Sequence, residues 1–164
     1  MNGRAKVHSL QKRLDAAFAR AIASSSDLEV QSDYAKYLCV LVSGFLENAI
    51  TELIVYYAQN RSAPEVSNFV EKQLDHWTNP NTEKIAQLFG QFSSDWFKVI
   101  TSQLVDEKKD CINSLVSLRH KIAHGESVGT SLSQIKKYYK TVQDVVEFLS
   151  DIVDPRSPTS QIRF

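Results

Sequence analysis

The sequence is most restrictive in what it lacks. Cys39 and Cys111 are its only cysteines, which excludes a disulfide scaffold. Both sit inside helical patterns, without metal-like spacing, and read as buried, reduced thiols of a cytoplasmic protein. An excess of one charge is also missing: 19 basic and 19 acidic residues cancel. A protein that coats nucleic acid non-specifically is therefore excluded, and any RNA or DNA contact must come from a local patch. There is no uninterrupted apolar run either. The most hydrophobic stretch, Leu38 to Ala58, contains Glu47, Asn48, Thr51 and Glu52, too polar in its middle for a membrane span and suited to a central buried helix. Met1 to Lys6 is polar and leads into an amphipathic pattern rather than a targeting segment. The chain reads as soluble, cytoplasmic and independent of membranes. It also has no run of alternating residues and no Asn-Gly hairpin signal for a sheet, and no internal repeat.

What is present is helical periodicity. The length of 164 residues supports one domain with a real core. Val7, Leu10, Leu14, Ala17, Phe18 and Ala21 predict a first amphipathic helix. A second, capped by Ser32 or Asp33, carries adjacent apolar pairs every four residues from Tyr37/Leu38 to Leu53/Ile54. That wide stripe touches several neighbours and predicts the spine of the fold. Ser62-Ala63-Pro64-Glu65 resembles a capping box opening a shorter helix. Asn79-Pro80-Asn81 is a turn, and short helices follow at Ile85–Phe89 and Trp96–Leu104. The last helix has the cleanest pattern: Leu132, Ile135, Tyr139, Val142, Val146, Leu149 and Val153 form a heptad seam begun by Ser131. The prediction is an all-α bundle of five to seven helices over residues 1–153, with a loose tail at 154–164.

Arg119-His120-Lys121-Ile122-Ala123-His124, closed by Gly125, carries the chemistry. On a helix, Arg119 falls in the middle of the apolar stripe set by Ile112, Leu115, Val116, Ile122 and Ala123. A buried guanidinium requires an anion. Two partners are open: an internal carboxylate, for which Glu47 is the candidate, or a phosphate supplied by a ligand. His120 and His124 follow one turn apart on the flank of that stripe. The pair offers two ligands for a divalent metal, but no third is evident, and no metal or cofactor is expected. Cleavage of RNA without metal needs a base for the 2′-hydroxyl, a cation for the phosphorane and an acid for the 5′-oxygen. An imidazole titrates near neutrality and suits the first and last tasks, and a guanidinium suits the second. Arg119, His124 and His120 are thus the candidate catalytic residues. Glu47, Lys121 and Lys136 are candidates for orienting groups or contacting substrate. Arg119 and His124 are about 140° apart on one helix, so two copies of the helix facing across a twofold axis would bring them together.

These residues carry a resemblance. Tyr37–Glu47, Ser117–Gly125, and Ile135–Tyr139 with Val142, Val145 and Val146 are similar to HEPN (higher eukaryotes and prokaryotes nucleotide-binding) domains, in particular to the branch associated with L-PSP-type endoribonucleases. The likeness spans about residues 30–153. It implies a metal-independent endoribonuclease working as a homodimer on RNA, with arginine and histidine from two protomers in one composite cleft. It equally implies members that are catalytically silent modules for a protein partner, RNA or nucleotide. Some members are toxins restrained by a cognate antitoxin or regulatory protein, and others act in defence against phage.

Overall fold

The computed structural model describes residues 3–23 and 26–155. Beyond Pro155, the tail expected at 154–164 lies outside them. Among the described residues there are seven helices and no strand: α1 (Gly3–Ala23), α2 (Leu28–Arg61), α3 (Pro64–Leu74), α4 (Thr82–Gly90), α5 (Ser94–Gln103), α6 (Asp106–Ala123) and α7 (Leu132–Val153). The all-α expectation holds, at the upper end of its range.

The spine is α2, which packs against α1, α3, α6 and α7. Its paired apolar residues explain this, because a stripe two residues wide leaves several faces to cover. Leu38, Leu46, Ile50, Leu53 and Ile54 are fully enclosed, each contributing about 1.5–3 kcal/mol of transfer free energy. By length and composition alone α2 could cross a membrane, yet 61% of its most apolar window is buried inside the fold. That burial is compatible with the core helix of a soluble protein. Its start differs from the sequence expectation. Asp27, not Ser32 or Asp33, is the N-cap, its carboxylate accepting from the Glu29 N–H at 2.8 Å. The helical period continues smoothly back through residues 28–33, so the earlier capping residue wins.

The Ser62 capping box also fails to form. The N-cap of α3 is Ala63, with Pro64 next to it, and the Ser62 hydroxyl donates back to the Ala58 carbonyl at 2.7 Å. Ser62 therefore closes α2 rather than opening α3, because a helix end with free carbonyls competes for the same hydroxyl. The seam of α7 is buried inside its own bundle from Ile135 to Val153. Ser131 caps this helix through the Gln134 N–H, at 3.2 Å. The heptad face is thus satisfied by α1, α2 and α6 and requires no second chain. Gly3 marks a close approach of α1 to α2: a Cβ there would lie 3.0 Å from Tyr56.

Candidate functional site

Helix α6 has two different halves. Cys111, Ile112, Leu115 and Val116 are buried, while Leu118 and Ile122 are only partly covered and Ala123 is exposed. The helix therefore leaves the core in its last two turns. The expected stripe is correct as far as Val116 and overextended at Ala123, because among the described residues no neighbouring element covers the helix end. The end itself is well determined. Gly125 adopts φ 71°, its N–H donates to the Ile122 carbonyl at 3.1 Å, and the Glu126 N–H donates to Lys121 at 3.0 Å. These bonds make a Schellman closure, which needs a residue tolerant of the left-handed region at this position. His124 is the C-cap itself.

This geometry exposes the motif. His120, Lys121 and His124 are exposed and Arg119 is half-buried. The two imidazoles stay one turn apart, with ring centroids 4.3 Å apart and planes inclined by 58°. Among the described residues no cluster of three metal-ligating side chains occurs. The helix dipole favours positive charge in this last turn.

Arg119 requires a correction. The ion pair expected with Glu47 is not formed, and among the described residues Arg119 has no carboxylate in salt-bridge range. Because Arg119 is only half-buried, solvent can hydrate its charge and no internal anion is required. The titratable group that feels it is Cys39. Burial pushes that thiol up to about 11, and the Arg119 charge only partly offsets the shift. Cys39 and Cys111 are buried and unbridged.

Glu47 has another task. Its Oε2 accepts from the Asn79 N–H at 3.2 Å, and Asn79 sits at φ 54°, a left-handed conformation that Asn tolerates better than most residues. Glu47 thereby holds the 79–81 turn, whose Asn79 and Asn81 line a groove with Asn113, Val116, Ser117 and His120. The structure thus links Glu47 to the wall beside His120 rather than to Arg119. Lys121 lines a second groove, between α6 and α7, with Ser117, Gln134 and Tyr138. Lys136 is exposed on the second turn of α7 and does not line the groove at His120. Its neighbour Lys137 pairs with Glu107 at 2.8 Å, which lowers the carboxyl of Glu107 and raises the Lys137 amine.

Sequence reasoning missed Asn113 and Ser117. A signal existed: Asn113, Ser117, Lys121 and His124 recur at helical spacing and mark a polar face opposite Ile112 and Leu115. Asn79 and Asn81 carried no such signal, since their approach to α6 is a tertiary event.

A profile of the RiboL-PSP-HEPN family matches residues 9–154. No curated protein and no solved structure matches the chain.

Proposed function

The chain belongs to the RiboL-PSP-HEPN family, and we propose that it is a metal-independent endoribonuclease whose Arg/His site is completed in a homodimer. One observation carries the reading: Arg119, His120 and His124 are gathered at an exposed helix end, and Arg119 has no carboxylate partner among the described residues. An arginine serving only as a core strut would be saturated by internal carboxylates. This one retains its donors for a phosphate.

In the proposed mechanism an imidazole of the His120/His124 pair takes the 2′-hydroxyl proton. The resulting oxyanion attacks the neighbouring phosphorus, Arg119 stabilises the charged phosphorane, and a second imidazole returns a proton to the departing 5′-oxygen. His124 is assigned the principal proton transfer and His120 the orienting or phosphate-contacting role. Arg119 and His124 diverge on one helix, so the arginine of one protomer is proposed to serve the histidine of its partner. The α7 seam is consumed internally, and the open end of α6 is the region assigned to the dimer contact in this proposal. A cytoplasmic setting, as a toxin held by an antitoxin or as a defence effector, is part of the proposal.

The test is direct. Purified protein should cleave single-stranded RNA in EDTA, leaving a 2′,3′-cyclic phosphate and a 5′-hydroxyl. His124→Ala should slow cleavage by about 10²- to 10⁴-fold, and His120→Ala by less. Light scattering at tens of micromolar should give a dimer. If folded wild type leaves RNA intact, or His124→Ala cuts as fast as wild type, the binding-module reading replaces this one.

A further inference from the structure

The groove between α6 and α7 is larger than the cleft at His120, about 770 Å³ against 440 Å³, within the usual range for ligand sites. The two share a wall. Asn113 and Ser117 line both, so the two recesses adjoin along the polar face of α6, on either side of this row of side chains. We infer that this groove is a nucleobase subsite, seating one unpaired base of a single-stranded RNA while the adjoining phosphate lies toward the histidines. The inference rests on the endoribonuclease reading for its choice of ligand, but its geometry is independent of catalysis.

Three features of the groove support it. First, Asn113 presents its donors. Its Oδ1 accepts from the Thr82 N–H at 3.0 Å and from the Thr82 hydroxyl at 3.2 Å. With the oxygen held on that side, the two amide hydrogens face away from Thr82, available to carbonyl or ring-nitrogen acceptors on a base edge. Second, Tyr138 is held in place. The Gln134 Nε2 donates to its hydroxyl at 2.8 Å, leaving the phenolic proton to donate outward. Its ring is half-buried beside half-buried Leu118, a platform on which a base can stack. Third, charge sets the direction. Asp110 lines the groove and repels phosphate, but its carboxylate can accept from a base's amine or imine hydrogen. Lys121, one turn beyond Ser117 toward the histidines, suits the phosphate. Donors, an aromatic face and one cation in a recess between helices suit an unpaired base. A duplex keeps its base edges engaged and its bases stacked.

The probe is a fluorescein-labelled 2′-O-methyl octanucleotide of mixed sequence, which has no 2′-hydroxyl to attack and cannot be cleaved. Its binding is followed by anisotropy in EDTA. Wild type should bind it. Tyr138→Ala should weaken binding about 5- to 150-fold, the range for loss of one base–aromatic stack, and Tyr138→Phe should restore most of it. Ser117→Phe, at an exposed position, should fill the groove and weaken binding without unfolding the chain, as circular dichroism would verify. It keeps the test decisive if Tyr138→Ala fails to fold. An octamer with abasic units should bind wild type as weakly as the normal octamer binds Tyr138→Ala. Equal binding of normal and abasic octamers, a folded Ser117→Phe that binds like wild type, or no binding by wild type would overturn the inference. Base-dependent binding with natural RNA left intact would keep the subsite and sink the nuclease reading. Cleavage of natural RNA with base-independent binding would do the reverse.

Discussion

Two arginines of similar burial do opposite things. Arg4, at the start of α1, donates to Asp151 Oδ1 and to the Asp154 carbonyl, each at 2.7 Å, and has Glu147 at 3.9 Å. Its guanidinium, with Asp154 Oδ2 also at 3.8 Å, is surrounded by carboxylates and ties α1 to the end of α7. Arg119, also half-buried and at the far end of α6, has no carboxylate partner among the described residues. The contrast extends to their surroundings. Near the middle of α7, Tyr139 stacks on Phe18 with centroids 4.8 Å apart, meets Phe45 edge-on and donates to Asp15 at 2.6 Å. At the end of α6, two imidazoles and a lysine face outward. A polar group whose valences are met inside the chain fixes a geometry, whereas one whose donors remain open can be spent on a ligand. Arg4 is a clamp, and Arg119 is available for binding.

The largest expected effect breaks this pair apart functionally. Arg119→Ala should lower RNA cleavage by roughly 10²-fold or more while leaving the melting curve within about 0.5 kcal/mol of wild type. Arg4→Ala should do the opposite: a loss of about 1–2 kcal/mol in urea unfolding from its charged hydrogen bonds, with cleavage kept. If Arg119→Ala unfolds the protein, the clamp and site roles have been assigned the wrong way round.

A smaller effect sharpens the contrast on the clamped side. Tyr139→Phe keeps the ring stack but removes the bond to Asp15, and should cost about 1 kcal/mol. The same change at Tyr138, on the open side, should be close to neutral in a melt. Equal losses at the two positions would show that the ends are not distinct.

The smallest effect concerns alkaline pH. The Cys39 thiol is raised from 9.0 to about 11, so the folded state favours its neutral form. That contribution is complete below the ordinary thiol range and is lost as pH rises through about 11. Stability should therefore fall above about pH 9, and Cys39→Ala should flatten part of that fall. Tyr139, also raised by burial and by its bond to Asp15, adds in the same direction. Alkylation of Cys39 in the native protein should be far slower than in urea. Rapid native alkylation at pH 8 would mean that the thiol beside Arg119 is open rather than packed.

Much of the architecture was legible in the amino-acid order. The heptad spacing of α7, the paired residues of α2 and Gly125 after His124 are local patterns with local causes, and each led to the right element. Errors arose where two local signals competed. Asp27, Ser32 and Asp33 are all good caps, and only the continuation of the helix selects Asp27. Ser62 can serve either of two helix ends, and the Ala58 carbonyl, which also accepts the Ser62 N–H, captures its hydroxyl. Pairing across elements was less legible still. Glu47 and Arg119 lie on helices that pack against each other, but the backbone N–H of Asn79 reaches the carboxylate, and partial exposure frees Arg119 from needing it.

Periodicity and capping chemistry lie within one helical turn, so the sequence alone determined that this chain is a helical bundle with Arg119, His120 and His124 at a helix end. Partners and exposure depend on how helices far apart in sequence cross. Only the tertiary structure decided that the α7 seam closes on its own bundle, that Glu47 props the 79–81 turn, and that the Asn113–Ser117 face opens into a groove. The physical reason is that a side chain's spacing sets the direction in which it leaves its helix, while its meeting with another group is set by every helix packed between them.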